Sequence, residues 1–585
     1  MRITCIFFIL PLFMLASCQD SNKDQSLQKV RGWNILAHQR KNAIKALNHA
    51  EEYNINHLQL SHKIIMDLKD VRDSARLRLC RDLVKKAHEK GIEEVTVWDH
   101  QLYNLDYYPD RFKTEQGKIN LDNPDFWKWV KKDYRSMLDS LPNIDGIILT
   151  FIETGAHVED QYSRIMKKEE EKLAALVDTL SKVIIDERNL NLYVRTFAYS
   201  MAELKSTLNC IDLIEHPEVR VMTKEVPHDF FLTHPVSWYV KDINKPVLIE
   251  FDATHEYHGQ GILAGIFPQV HMKRLKYYLQ FDNVVGYVAR TDRYGNTQII
   301  GRPSEINLYA LKRVIEDTTL KSETIFEEFI GKHYGDEAIP LIKPAFKNAY
   351  DIFTSVYYTL GIHNNSHSRL NYYQSSYSRH VSGKWTDKPY AYVKHGVNKK
   401  FHYWKDVVNH LSPPEYKQSE GTTLAEEVPS VIDSGWVQPK ELINKKYLDY
   451  LITEKNYGVK LAHESLQKIR EAEEVVKDSS AYEKLLHTYE RTYLISQLYR
   501  GMTKAHFGYR LYCRGEQYRS DELVGIIKDG LKEIKEISGE IRNYSHKGPS
   551  GQYSWEGDAS RAMEYYNQIA FEGNNQCPGI LQTDS

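Results

Sequence analysis

The sequence predicts an α/β fold, a (β/α)8 barrel of the TIM type, followed by an α-helical C-terminal domain. Three observations predict it. Eight short β-rich runs recur between residues 32 and 291, amphipathic segments separate them, and after Pro303 strand signals fade while helical patterning continues.

The first run is GWNILAH (32–38), followed by RKNAIKALNHAEEY, where Ile44, Leu47 and Ala50 recur at helical spacing. HLQLS (57–61), EEVTVWDH (93–100) and GIILTF (146–151) come next. In EEEKLAALVDTLSKVIIDE, Leu173, Leu176 and Leu180 share one stripe. NLYVRTFAY (191–199), EVRVMTK (218–224), PVLIEFDA (246–253) and NVVGYVART (283–291) complete the set. A doubly wound open sheet shows the same alternation and is the competing topology. Beyond it, EINLYALKRVIED, SETIFEEFIGKHYG and two longer stretches within 447–512 are helical patterns, and 362–420 reads as loop. The division expected is a leader at 1–17, a tether at 18–30, the barrel at 31–302 and the helical domain at 303–585.

A chain of 585 residues is too long for a single core, and a formal charge of −2 argues against a nucleic-acid partner. Its 40 tyrosines and 9 tryptophans suit stacking on sugar faces but suit helix packing equally. At the N-terminus, MRITCIFFILPLFMLASCQD sets Arg2 before an apolar run shorter than the roughly 20 residues of a bilayer span. Leu15-Ala16-Ser17-Cys18 resembles a bacterial lipobox, which implies cleavage before Cys18 and lipidation of its thiol; a plain signal peptide or a shortened anchor is the competing reading. The expected location is a membrane-anchored lipoprotein, periplasmic or on the outer-membrane surface of a Gram-negative bacterium. Cys80, Cys210, Cys513 and Cys577 lack zinc-site spacing, though a disulfide or two fits an exported protein.

Barrel chemistry gathers at the C-terminal strand ends. Strand four leads into Glu153, strand five carries Arg195, and strand six runs through Lys224 to His228 and Asp229. Strand seven ends in EFDATHEYHGQG with Glu256 and Tyr257, and strand eight runs into Arg290, Asp292 and Arg293. Single acids at strand ends are usually caps or solvated, but acids on strands four, six and seven of one barrel suit glycoside hydrolysis. There, one carboxyl protonates the leaving oxygen while another attacks or activates water. The cations suit an anionic sugar such as a uronic acid, or else only neutralise the acids. Trp33, Trp98 and Tyr257 are candidate stacking platforms. His255 and His258 flank Glu256, but no third ligand is evident, so no metal is expected.

At these segments the chain resembles glycoside hydrolase family 67, the α-glucuronidases. GKINLDNPDFWKWV with LPNIDGIILTFIETG resembles the approach to that family's general acid, which places the role on Glu153. LYVRTFAY is similar to a substrate-binding arginine segment (Arg195). KEVPHDF keeps the lysine-to-aspartate spacing of Lys224 and Asp229, and EFDATHEYHGQG supplies a second basic carboxylate, Glu256. VARTDRYGN and INLYALKRVIED resemble the exit from the barrel, and YYTLGIHNNSH resembles the family's C-terminal domain in kind. The resemblance implies an inverting mechanism, with Asp229 and Glu256 acting on water, no cofactor, and an oligosaccharide or polysaccharide substrate. Two departures stand out: the family's N-terminal β domain is lacking, and Leu149 stands where a uronate-binding lysine is expected. The rival readings are a non-catalytic glycan-binding surface lipoprotein, a polysaccharide lyase, and a barrel that has lost activity and kept sugar binding. Oligomeric state is left open.

Overall fold

The computed structural model describes residues 29–151, 153–198, 201–227, 229–232, 236–359, 362–363, 365–370, 445–548, 551–573 and 577–581. The leader, Cys18, His228 and most of the expected 362–420 loop therefore lie outside the described residues.

Eight parallel strands close into a barrel in sequence order: β1 (Val30–Ile35), β2 (His57–Leu60), β3 (Glu94–His100), β4 (Gly146–Thr150), β5 (Asn191–Arg195), β6 (Arg220–Lys224), β7 (Val247–Phe251) and β8 (Val284–Arg290). Closure is made by Trp33 of β1 pairing with Ala289 of β8, so the open-sheet alternative does not apply. All eight strands lie where the sequence places them. The helices between them are α1 (Arg40–His49), α2 (Ser74–Glu89), α3 (Pro124–Leu138), α4 (Glu169–Ser181), α5 (Met201–Leu213) and α6 (Pro268–Tyr278), and α7 (Ile306–Glu316) follows β8. One alternation differs from expectation. Between β6 and β7 the described residues form only a 3-10 turn, Trp238–Asp242. Pro227 stands in this stretch, and proline removes a donor that a helix interior needs.

Side chains alternate across each strand, giving two apolar layers. Trp98, Ile148, Tyr193, Met222, Leu248 and Val288 fill the lumen. The opposite parity, including Trp33, Leu58, Val97 and Leu149, packs against the helices. Gly286 (φ +151°) marks the closest approach at closure, where a Cβ would sit 2.0 Å from the Val30 carbonyl oxygen.

The helical region contains α8 (Ser322–Tyr334), α9 (Ile339–Val356), α10 (Lys445–Glu471), α11 (Ser479–Tyr512), α12 (Asp521–Asn543) and α13 (Gly557–Asn567). It grips the β7–α6 loop directly. Arg491 of α11 donates to the Ile262 carbonyl at 3.0 Å, and Ala264 N–H donates to Thr492 Oγ1 at 2.9 Å. A disulfide joins Cys513, at the end of α11, to Cys577 across 64 residues, while Cys80 and Cys210 are buried thiols. No described helix is long and apolar enough to cross a membrane. Because the bridge closes a long loop, Cys513→Ala/Cys577→Ala is expected to lose roughly 2–4 kcal/mol. Urea unfolding with and without reductant checks this: reductant should shift the native midpoint and leave the double variant's unchanged.

Candidate active site

The lumen floor just below the mouth holds a buried carboxylate. Glu250 of β7 faces inward and takes two arginines: Arg195 of β5 (Nη2 to Oε2, 2.7 Å) and Arg290 of β8 (Nη2 to Oε1, 2.9 Å). Burial pushes its carboxyl up, but Arg195, Arg290 and Lys224 together hold it below the usual carboxylate value.

Above it stands Glu256, 4% exposed. Arg290 Nη1 donates to Oε2 at 2.9 Å, Arg293 Nε donates to Oε1 at 2.8 Å, and His367 Nδ1 lies 2.7 Å from Oε1. Burial alone would raise this carboxyl, yet Arg293, His367 and Arg290 hold it well below its ordinary value. Glu256 is thus a fixed anion at working pH.

Asp229 follows β6. Lys224 Nζ donates to its Oδ1 at 2.8 Å, Phe230 N–H donates to the same oxygen at 3.2 Å, and the Tyr257 hydroxyl donates to Oδ2. Two connections join Asp229 to the Glu256 cluster. The Phe230 ring lies under both Lys224 (4.4 Å) and Arg290 (4.6 Å), and the Tyr257 ring lies 5.5 Å from that of His367.

Glu153, beyond β4, is exposed and has φ +64°. That backbone region is uncommon for a non-glycine residue and concentrates at functional sites. His62, His255, Gln260, His367 and Ser368 share the feature, all in the loops about this mouth. The Glu153 charge acts on Arg293, which pairs with Glu256 and is 16% exposed in its side chain. Arg293 therefore links the acids of strands four and seven.

The other predicted residues divide into those inside the lumen and those outside it. Trp98 lies in the lumen with its indole N–H on Gln59 Oε1 (3.0 Å) and the Arg195 guanidinium 4.7 Å from its ring centroid, so its face carries a cation. Trp33 is a correction: it points to the helix layer, 1% exposed, with its ring 5.1 Å from Tyr53. Tyr257 is likewise 1% exposed and holds Asp229 in place of offering an open stacking face. Asp292 accepts the Leu36 and Ala37 N–H groups, which ties the ends of β8 and β1, and burial pushes its carboxyl up to about 7. Leu149 packs outward, so its side chain has no bearing on the lumen, where Ile148 and Thr150 share the inward parity. His255 bonds His271 (3.0 Å) and His258 bonds the Tyr358 hydroxyl (2.6 Å); among the described residues no cluster of metal-ligating side chains forms.

Two histidines escaped the sequence reading. His62 lies against Trp98 with ring centroids 5.3 Å apart and planes tilted by 51°; burial, then Arg293 and Arg290, keep it neutral. His367 comes from the turn between Asn365–Ser366 and Arg369–Leu370, beyond the barrel, and Ser368 Oγ anchors that turn to the Glu256 carbonyl (2.8 Å). It is the final residue of YYTLGIHNNSH, so a signal was present, but nothing local assigns it to the barrel mouth.

Solved structures of similar fold include glycoside hydrolases. A family 138 glycoside hydrolase targeting pectin rhamnogalacturonan II superposes with TM-score 0.58 at 13% identity, over 92% of this chain and 67% of that one. A family 115 4-O-methyl-α-glucuronidase with specificity for decorated arabinogalactans gives 0.47 at 10% identity, over 95% and 64%. An O-GlcNAc hydrolase variant from Thermobaculum terrenum gives 0.42 at 10% identity, over 92% and 94%. The likeness is one of fold. No family description matches the chain and no curated protein matches it, so the family 67 resemblance rests on its motif segments.

Proposed function

We propose that this protein is a glycoside hydrolase that releases an α-linked uronic acid from an oligosaccharide or polysaccharide by inversion. The observation that carries the reading is Arg293, which ion-pairs with Glu256 and feels the charge of Glu153 at the same mouth where Lys224 and Tyr257 hold Asp229. Glu153 donates its proton to the departing glycosidic oxygen. Asp229 takes the proton from the attacking water on the opposite face. Glu256, ionised and bound by three cationic or imidazole partners, is a poor proton acceptor, since a base works best with a pKa near the operating pH. Its part is to fix Arg290 and Arg293 and help orient the water.

The cations at the mouth suit an anionic sugar. Arg195, Lys224, Arg290 and Arg293 converge there, paired with the carboxylates of Glu250, Glu256 and Asp229. Arg293 is the most exposed of the four cations and is the contact for the uronate carboxylate. A carboxylate settling there also neutralises the charge beside Glu153, which favours the proton the acid must carry. The disulfide suits an oxidising compartment, in keeping with export and anchoring through Cys18.

The test is incubation of the purified protein with a panel of uronate-bearing and neutral oligosaccharides, with NMR of the first-formed anomer. Free uronic acid appearing as the β-anomer supports the reading; release of only neutral sugars, or an unsaturated product absorbing in the ultraviolet, overturns it. Arg293→Met is expected to raise KM for the uronate substrate roughly 10–100-fold, the value of one charge-assisted hydrogen bond. KM for the matching neutral glycoside, where turned over, should barely move.

A further inference from the structure

A cavity of about 370 Å³ opens where the β7–α6 and β8–α7 loops meet α11. It shares no lining residue with the barrel-mouth cluster. Lys45 reaches it from α1, Arg302 from the β8–α7 loop, and Lys484, His487 and Arg491 from α11, while His546 lies beyond the end of α12. On α11 the contributors Lys484, His487, Thr488 and Arg491 stand at i, i+3, i+4 and i+7, one stripe of the helix. The His487 and His546 rings stack with centroids 3.8 Å apart. Among the described residues no acidic side chain lines the cavity.

Part of this charge has structural work. Lys45 donates to the Ile300 carbonyl, Arg302 to those of Gly261 (3.3 Å) and Asn296 (2.7 Å), and Arg491 to those of Ile262 (3.0 Å) and His546 (2.9 Å). These acceptors are neutral, so they satisfy donors without cancelling charge. Among the described residues none of the four cations forms an ion pair with a carboxylate, and Lys484 makes no such strut. Like charge adds to burial in these groups. Burial and then Arg491 lower Arg302 to about 10, and burial, Lys484 and Arg302 lower Lys45. Gripping the loops from α11 needs donors; it does not need four cations converging on an open space.

We infer that this cavity binds a tetrahedral oxyanion, a sulfate or phosphate group, free or carried as an ester on a glycan. Cations arriving from α1, the β8–α7 loop and α11 suit a group with oxygens in several directions better than a planar carboxylate, which presents one edge. The inference stands independently of hydrolysis at the barrel mouth.

Calorimetric titration of the intact protein with sodium sulfate, sodium phosphate and a sulfated oligosaccharide, at ionic strength matched with chloride, tests it. Saturable binding at one site per chain is expected. Lys484→Met should weaken it about tenfold, the loss of one charge-assisted contact, while Lys532→Met, on the face of α12, should leave it unchanged. Because Lys484 is exposed and makes no strut, its variant should melt no lower than the parent in chloride. A sulfated sugar binding more tightly than free sulfate identifies the ester as the source; equal binding identifies the free ion. Heats no greater than chloride's, unchanged affinity in Lys484→Met, or competition by uronate oligosaccharides alone would each overturn the assignment.

Discussion

Glu153→Gln is expected to lower the release of sugars from poor leaving groups by roughly 10²–10⁴, the range of a lost general acid. The effect should depend on the leaving group. An activated aryl glycoside departs without a proton, so its turnover should fall far less. Asp229→Asn gives the complementary pattern. It removes the group that takes the water's proton, a step every substrate shares, so losses of similar size should appear on activated and natural substrates alike. Its geometry should survive, because the amide oxygen can still accept from Lys224 or from Tyr257 at the two positions Asp229 now uses. Steady-state kinetics on paired substrates separate the roles. Equal losses for Glu153→Gln on both would count against Glu153 as the acid, and an aryl-sparing Asp229→Asn would count against Asp229 as the base.

Why these residues were legible, and others not, follows from what a sequence encodes locally. The barrel strands announce themselves by composition and by the helices between them, and β-strand ends then locate Glu153, Asp229, Glu256, Arg290 and Arg293 without knowledge of any contact. Parity is different. Trp33 and Trp98 look alike as aromatic residues within their strands, yet one faces the helices and the other the lumen. Deciding between them needs the closure register, where Trp33 sits beside Ala289 and the inward positions of β1 fall to Gly32 and Asn34. Among the described residues only a 3-10 turn precedes β7, and this was hidden for a related reason: the alternation predicted a regular unit, while the site claimed that stretch. His367 lies 111 residues beyond Glu256 and joins it only because α11 and the Ser368 turn hold the helical region on the β7–α6 loop. Long-range placement of that kind leaves no mark on either segment alone.

The same limit hid the pair that should matter most to stability. Arg274 follows Lys273 in PQVHMKRLKYY, the segment of α6, yet it is 6% exposed. Its Nη1 donates to Glu225 Oε2 at 3.0 Å and its Nη2 to the carbonyls of Phe231 (3.2 Å) and Leu232 (3.0 Å), just past Asp229. Glu225 is itself buried; burial pushes its carboxyl up, but Arg274 and His271 hold it down at about 2. Arg274→Met would leave that carboxylate buried with only His271 and the Asp252 N–H, and would free two carbonyls of the Asp229 loop. The expected cost is about 3–5 kcal/mol, the range for breaking one side of a buried pair. The acid dependence should change as well. A carboxyl whose folded pKa is depressed contributes stability that is fully present above its unfolded value near 4.5 and is lost as pH falls towards 2, here about 3 kcal/mol. In Arg274→Met that acid-side loss should shrink, because the orphaned Glu225 takes up its proton more readily in the folded state. Urea midpoints measured from pH 7 down to pH 3 for the parent, Arg274→Met, Glu225→Gln and the double variant test both parts. A double variant more stable than Arg274→Met alone would show that the isolated carboxylate carries the penalty. A single variant as stable as the parent at pH 7, with the same fall in acid, would show that Glu225 and Arg274 do not hold this face of the barrel together.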